Sequence, residues 1–167
     1  ITVFTDTYVK SMRMCYNIVR QYDENAEVFA SFSHSWTEKS NPTWYTCKEM
    51  IDLLNVYSKV EGDFQWGLAY HSYAQDLTNP CTWNDPNATC SMNTQFVTFK
   101  NLEVLNKWAL DKENKYKGII KRSVWLSEAG VNSRGYSDEE LQKQAAGVAY
   151  AWKKVNALEG IDAWQWH

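Results

Sequence analysis

The chain has 167 residues, a length typical of about one domain, and its apolar fraction of 44% is too high for a disordered polypeptide. The net charge of −3 and the lack of any concentrated run of lysine and arginine argue against nucleic-acid binding, which needs basic side chains close to phosphates. No apolar stretch approaches the roughly 18 residues of a membrane span, so we expect no span.

Aromatic residues are frequent, with nine tryptophans and ten tyrosines. Large core side chains account for most such rings, but an excess of this size also predicts exposed rings that stack against ligands. Neither Ile1 nor His167 resembles a natural end of a protein. We therefore expect the chain to be part of a longer protein, and the lack of a targeting signal carries no information.

The first half of the chain alternates twice between a helical pattern and a strand-like run. Apolar side chains recur at helical spacing over residues 5–22, and strand-forming residues follow at 28–36. A second amphipathic helix is predicted over 46–62, with a second strand at 64–73.

The second half repeats the alternation after a long polar loop at residues 74–93. A helix is predicted over 97–113, a strand within 119–130, a last helix from Ser137 onward and a last strand at 161–167. Strands that alternate with amphipathic helices predict a parallel sheet with right-handed crossovers.

Two α/β architectures fit this alternation: an open doubly wound sheet and a part of a (β/α)₈ TIM barrel. No glycine-rich phosphate loop follows any predicted strand, which disfavours the nucleotide-binding form of the open sheet. A full barrel needs roughly 250 residues, so a chain of this length would supply about half of one.

The four cysteines contain no CxxC pair and so do not form a metal-binding pattern. Cys81 and Cys90 flank a polar, turn-rich segment, and a disulfide between them is predicted to close it. Cys15 and Cys47 lie in helical patterns and are expected to be core thiols. A disulfide would suit an exported protein, so we expect export.

Polar and aromatic side chains follow each predicted strand, at the end where parallel α/β folds place their active sites. All three histidines of the chain belong to this set. Each residue except Glu128, taken singly, is more often a packing or hydrogen-bonding residue than a functional one. Their convergence from four strands nevertheless predicts a site, and its members include, in chain order, His34, Trp36, His71, Tyr73, Ser127, Glu128, Trp166 and His167.

The residue types in this set restrict the chemistry. The histidines lack the HExxH spacing of a zinc site, and Ser127 lacks the GxSxG turn of a hydrolase elbow. A carboxylate near a tyrosine, a histidine and a tryptophan suits glycoside chemistry, in which a carboxylate attacks the anomeric carbon. No metal and no cofactor are expected.

Three short motifs resemble strands six, seven and eight of the retaining (β/α)₈ glycoside hydrolases of the cellulase and mannanase superfamily: HSY at 71–73, VWLSEAG at 124–130 and IDAWQWH at 161–167. The resemblance implies that the chain is the C-terminal half of a TIM barrel, strands five to eight. It implies that Glu128 is the nucleophile and that Tyr73 hydrogen-bonds its carboxylate.

The same resemblance implies the sugar-binding residues. His71 would line the subsite, and Trp166, or alternatively Trp164, would stack on the sugar. His34 and Trp36 follow the first strand, where the family varies, and are expected to contact substrate as well.

The general acid/base of that family, a glutamate that usually follows an asparagine at the end of strand four, has no match here. Glu38 and Asp76 are the only substitutes near the strand ends, and we expect neither to serve.

The sequence thus predicts a retaining, polysaccharide-degrading glycosidase that acts on a carbohydrate substrate and whose acid/base lies outside the chain. A non-catalytic carbohydrate-binding relative and an open-sheet α/β protein with structural rim residues are the alternatives. The oligomeric state stays open.

Overall fold

The computed structural model describes residues 1–167 as four helices and four strands in alternation, as the sequence predicts. The helices are α1 (Thr2–Val19), α2 (Cys47–Tyr57), α3 (Glu103–Leu110) and α4 (Asp138–Asn156). The strands are β1 (Val28–Phe32), β2 (Trp66–Tyr70), β3 (Val124–Ala129) and β4 (Ala163–Trp166). Short 3₁₀ turns occupy Thr82–Asn84, Phe99–Asn101 and Lys112–Asn114.

The third predicted helix, over residues 97–113, is shorter in the structure than the sequence pattern indicates. Thr98 and Asn101 form a capping pair that begins a 3₁₀ turn: Thr98 Oγ1 accepts from Lys100 N, and Asn101 Oδ1 accepts from Thr98 N at 2.8 Å. The α-helical part therefore begins only at Glu103. Apolar spacing does not separate the two kinds of turn, because both bury one side of the segment.

The four strands form one parallel sheet in the order β1-β2-β3-β4. The predicted parallel pairing is confirmed. Each strand lies beside its neighbour in the sequence, without the reversal of strand order that defines a doubly wound sheet. The protein is thus an α/β protein whose sheet is compatible with half of a barrel-like fold. Sequential order with right-handed crossovers places the connecting helices on one face of the sheet.

The two faces of the sheet differ in burial. Ala30, Leu68 and Leu126 point to the helices and are fully buried within a core of 23 residues. The opposite face is partly open: Phe29 and Trp125 are half-buried there, and their ring centroids lie 4.7 Å apart. We call this second surface the open face of the sheet.

The amino ends of the strands are held by a buried arginine. Arg122, two residues before β3, is 1% exposed, and its guanidinium donates to Asp63 Oδ1 at 2.7 Å and to the carbonyl oxygen of Phe64 at 2.9 Å. The same guanidinium lies 4.4 Å from the centroid of the Trp66 ring. Burial lowers the pKa of Arg122, and the hydrogen bond and charge of Asp63 act in the opposite direction.

Two expectations about the cysteines are corrected. Cys81 and Cys90 are free thiols, so the predicted disulfide is not formed. Hydrogen bonds hold the long loop instead: the buried Asp85 accepts from the backbone N–H of Gln75 at 2.8 Å. Cys15 is exposed on α1 and is not a core thiol. Helical spacing alone did not show which side of α1 faces solvent.

Candidate active site

Glu128 lies near the carboxyl end of β3, where that strand contains a bulge. Leu126 and Ala129 pair with β4 residues only two positions apart, so two residues of β3 oppose one of β4. Leu126 and Ala129 are buried, whereas the two residues between them are both partly exposed. Regular alternation would turn the side chain at 128 toward the buried face. The bulge directs it to the open face instead.

Tyr73 follows β2 by three residues and contacts the carboxylate of Glu128. Its hydroxyl donates a hydrogen bond to Glu128 Oε1 over 3.3 Å. Partial burial raises the pKa of Tyr73 above its ordinary value, and the negative charge and hydrogen bond of Glu128 raise it further. The phenol therefore keeps its proton, and with it the ability to donate, throughout the neutral pH range.

His71 approaches the same carboxylate from the other side. Its backbone N–H donates to the carbonyl oxygen of Phe32 at 2.9 Å and extends the pairing of β1 with β2. Its imidazole Nδ1 lies 3.6 Å from Glu128 Oε2, and its Nε2 lies 3.2 Å from the hydroxyl of Ser31. A protonated His71 would place a positive charge beside Glu128. The imidazole thus bridges β1 and β3.

His167 completes the group through Tyr73. Its Nδ1 lies 3.0 Å from the hydroxyl of Tyr73, and the two rings meet edge to face at 6.5 Å. Its backbone N–H donates to the carbonyl oxygen of Ala129 at 3.3 Å, which ties the end of β4 to β3. The carboxyl ends of all four strands therefore contribute to one cluster, which we call the Glu128 cluster: Ser31, His71, Tyr73, Glu128 and His167.

His34 lies near the Glu128 cluster without bonding to it. Its ring stacks on Phe96 with centroids 5.4 Å apart. Burial lowers the pKa of His34; the carboxylate of Asp85 raises it in part, and the nearby His71 lowers it further. The imidazole is half-buried and neutral at neutral pH. Its contact with substrate stays a prediction.

The predicted substrate contact of Trp36 is wrong. Trp36 is 0% exposed, packs against Tyr70 with ring centroids 6.1 Å apart, and donates from Nε1 to the carbonyl oxygen of Met92 at 2.9 Å. The chain turns after β1 so that this indole enters the core beneath the long loop. A ring with no free surface cannot stack on a sugar.

Trp166 has the exposure that a platform needs, because 51% of its surface is accessible. Trp164 and Trp166 are two positions apart on β4 and lie on the same side of that strand, with ring centroids 5.8 Å apart. Trp164 is anchored, because its Nε1 donates to the carbonyl oxygen of Ala129 at 2.8 Å. The sugar-stacking role of Trp166 stays a prediction.

The sequence did not predict the part that two members of the Glu128 cluster play in it. Ser31 is exposed on the open face of β1, and the signal for it was a hydroxyl inside an otherwise apolar strand, VFASF. His167 was recognised as a strand-end residue, but its contact with Tyr73 spans 94 positions in the sequence. Neither short-range spacing nor composition reports a contact at that separation.

The Glu128 cluster contains one carboxylate and no second one. Asp76, a potential substitute for the acid/base, accepts hydrogen bonds from the side chain and the backbone of Thr78, and these lower its pKa. A general acid needs the opposite shift, because it must hold a proton near neutral pH. Arg134 also lies 3.7 Å from Asp76. Asp76 is therefore unsuited to the role.

The fold and the cluster together define an α/β protein with a carboxylate-centred polar site at the carboxyl ends of a parallel sheet. The model of a family of unknown function, DUF5722, matches residues 1–167, and the chain belongs to that family. A search of curated proteins finds no match, and a search of solved structures finds none either. None of the helices is both long and apolar enough to cross a membrane, and no group of three metal-ligating side chains is arranged to hold an ion.

Proposed function

We propose that this chain is the nucleophile-bearing half of a retaining glycoside hydrolase, folded as strands five to eight of a (β/α)₈ TIM barrel. One observation carries the proposal: Glu128 accepts a hydrogen bond from Tyr73 at 3.3 Å and lies 3.6 Å from His71 Nδ1. Its side chain is 44% exposed. A carboxylate that is oriented by donors and open to solvent has the properties needed to attack an anomeric carbon.

The sheet supports the barrel part of the proposal. Its sequential parallel order is the order of a barrel, and its open face carries the large side chains of Phe29 and Trp125. Four further strands would close the two free edges and cover these rings. In barrel enzymes the carboxyl ends of the strands form the active site, which is where the Glu128 cluster lies.

In the proposed reaction Glu128 attacks the anomeric carbon of the sugar. An ester bond forms between its carboxylate oxygen and that carbon, while the bond from the carbon to the glycosidic oxygen breaks. The leaving oxygen takes a proton from a carboxylic acid about 5–5.5 Å from Glu128. Water then attacks the same carbon, gives its proton to that second carboxylate and releases Glu128. Tyr73 holds the nucleophile in position in both steps.

The second carboxylate is proposed to lie outside residues 1–167, at the end of the fourth barrel strand. A carbohydrate-binding protein without catalysis is the second candidate, favoured by the single carboxylate of the Glu128 cluster. Export stays a prediction. Because Cys81 and Cys90 are free thiols, the disulfide no longer supports it, and its remaining support is that a polysaccharide substrate would be extracellular.

The test uses the intact protein and a panel of polysaccharides and aryl glycosides. We expect Glu128→Gln to lower kcat about a thousandfold or more, because the amide cannot form the ester. We also expect a 2-deoxy-2-fluoro glycoside to label the wild-type protein covalently on the peptide that contains Glu128, as detected by mass spectrometry.

Glu139→Gln is the matched control, because Glu139 lies on the exposed side of α4 with its side chain 78% accessible. It should leave hydrolysis and labelling unchanged. A wild-type rate for Glu128→Gln, or a label on another carboxylate, would overturn the nucleophile assignment. Saturable glycan binding without turnover by the wild type would favour the binding protein.

A further inference from the structure

The hydroxyl of Tyr73 lies between two partners that compete for its single proton. Glu128 Oε1 is 3.3 Å away, and His167 Nδ1 is 3.0 Å away. A carboxylate can only accept a hydrogen bond, whereas a neutral imidazole nitrogen donates or accepts according to its tautomer. Both contacts are hydrogen bonds only when His167 Nδ1 carries a proton. Tyr73 then donates to Glu128 and accepts from His167.

The other neutral tautomer of His167 would break this arrangement. A bare Nδ1 at 3.0 Å would accept the phenol proton, and Glu128 at 3.3 Å would lose its donor. The carboxylate would then keep only the neighbouring imidazole of His71, at 3.6 Å. The proton on His167 therefore decides whether the nucleophile is held from both sides.

We infer that His167 is a positioning residue, which donates from Nδ1 to the hydroxyl of Tyr73 and so reserves the phenol proton for Glu128. Its placement is built into the sheet, since its backbone N–H donates to the carbonyl oxygen of Ala129 at 3.3 Å. The catalytic value of this role rests on the proposed function. The hydrogen-bond pattern itself is measurable without any substrate.

The first experiment reads the tautomer of His167 in the intact, ¹⁵N-labelled protein above about pH 8, where an ordinary imidazole is neutral. We expect the ring to be protonated at Nδ1 in the wild type and to lose this preference in Tyr73→Phe, which removes the accepting oxygen. The signal is assigned from its absence in His167→Asn. A bare Nδ1 in the wild type would overturn the inference.

The second experiment follows the pKa of Tyr73 with ¹³Cζ-tyrosine. His167→Ala should raise this pKa, because the phenolate oxygen loses a donor, and His167→Asn should restore it, because an amide N–H can occupy the place of Nδ1. The Tyr73 signal is assigned from its absence in Tyr73→Phe, and Tyr136→Phe, at a position 96% exposed, controls for the loss of one tyrosine. An equal pKa of Tyr73 in all His167 variants would contradict the inference.

The third experiment measures kinetics on the glycan that the wild type cleaves fastest, and it connects the hydrogen bonds of His167, Tyr73 and Glu128 to catalysis. We expect His167→Ala to lower kcat about tenfold with little change in KM, and His167→Asn to recover most of the loss. Equal rates in the two variants would remove the positioning role. If the wild type cleaves no glycan while the tautomer and the pKa shifts follow expectation, the proposed function fails and the hydrogen-bond inference stands.

Discussion

Two histidines at the same edge of the sheet have different surroundings. The imidazole of His71 lies between the hydroxyl of Ser31 and the carboxylate of Glu128. The imidazole of His34 is stacked on Phe96, and burial dominates there, lowering its pKa. Two imidazoles at one edge of the sheet therefore differ in their contacts: His71 bridges polar groups, whereas His34 packs on an aromatic ring.

The lowered pKa of His34 predicts a loss of stability in mild acid. Above about pH 6.5 His34 is neutral in both the folded and the unfolded chain and contributes no pH dependence. As the pH falls below that value, the unfolded chain binds a proton that the folded chain accepts only at lower pH. The free energy of unfolding therefore decreases until the pH reaches the folded pKa.

The check is chemical denaturation between pH 7.5 and pH 5. The variant His34→Phe keeps an aromatic ring against Phe96 but cannot take up a proton. We expect the wild type to lose more stability than this variant over that range. Parallel pH profiles for the two proteins would show that His34 does not cause the loss.

At the scale of elements, the end of β3 sets the geometry of the site. The bulge turns Glu128 to the open face, and Gly130 directly after the strand leaves room for β4. A Cβ atom at position 130 would clash with the backbone carbonyl oxygen of His167. Any side chain at this position must therefore separate the ends of β3 and β4.

We expect Gly130→Ala to destabilise the fold by about 1–3 kcal/mol, the usual cost of overpacking, because the clash is with backbone and not with a flexible side chain. Displacement of His167 should also disturb its contact with Tyr73. Urea denaturation measures the first effect, and the tautomer of His167 reports the second.

Gly135 offers a matched control, because a Cβ atom there would meet nothing within 4 Å. Gly135→Ala should be neutral or stabilising by up to about 1 kcal/mol, since alanine restricts the unfolded chain. Equal stability of the Gly130→Ala and Gly135→Ala proteins would show that β3 and β4 adapt to the extra methyl group.

Across the whole molecule, the two ends of the sheet have separate tasks. The carboxyl ends carry the Glu128 cluster, in which a charged side chain stays open to solvent. The amino ends carry Arg122, whose side chain is fully buried and ion-paired with an almost buried Asp63. Concentrating the buried charges away from the site lets one end stabilise the sheet while the other stays accessible.

The buried pair predicts a large stability effect at a distance from the site. We expect Arg122→Met to lower the free energy of unfolding by about 3–5 kcal/mol, because Asp63 would be left charged and without its cation in the interior. Lys10→Met breaks the exposed pair with Asp6 and serves as the control, with no measurable loss expected. A similar small loss in both variants would contradict the assignment of Arg122 as a structural anchor.

The sequence predicted much of the fold because helices and strands leave short-range signals. Four strands, four helices and parallel pairing follow from apolar periods of 3.6 and 2 residues and from their alternation. The wrong predictions lie where one local sequence pattern is compatible with two different structures. The exposed Cys15 and the 3₁₀ turn at Phe99–Asn101 both fit helical spacing as well as their observed states.

The site was predicted in part. Glu128, Tyr73 and His71 were selected because each comes at the end of a strand, and the carboxyl ends of parallel strands meet at one edge. Trp36 satisfied the same rule and is buried, because the long loop covers it. Position at a strand end shows which edge a residue occupies, but not whether its side chain faces solvent or core.

By itself the sequence determined the order of elements, the parallel sheet and the placement of Glu128 at the end of β3, because these depend on neighbours within a few positions. Tertiary structure alone decided the bulge that aims Glu128 and the Tyr73 contacts with Glu128 and His167, which span 55 and 94 positions. It also left Cys81 and Cys90 unpaired. Such features depend on ångström-scale distances between remote segments, and these are set only when the whole sheet has packed.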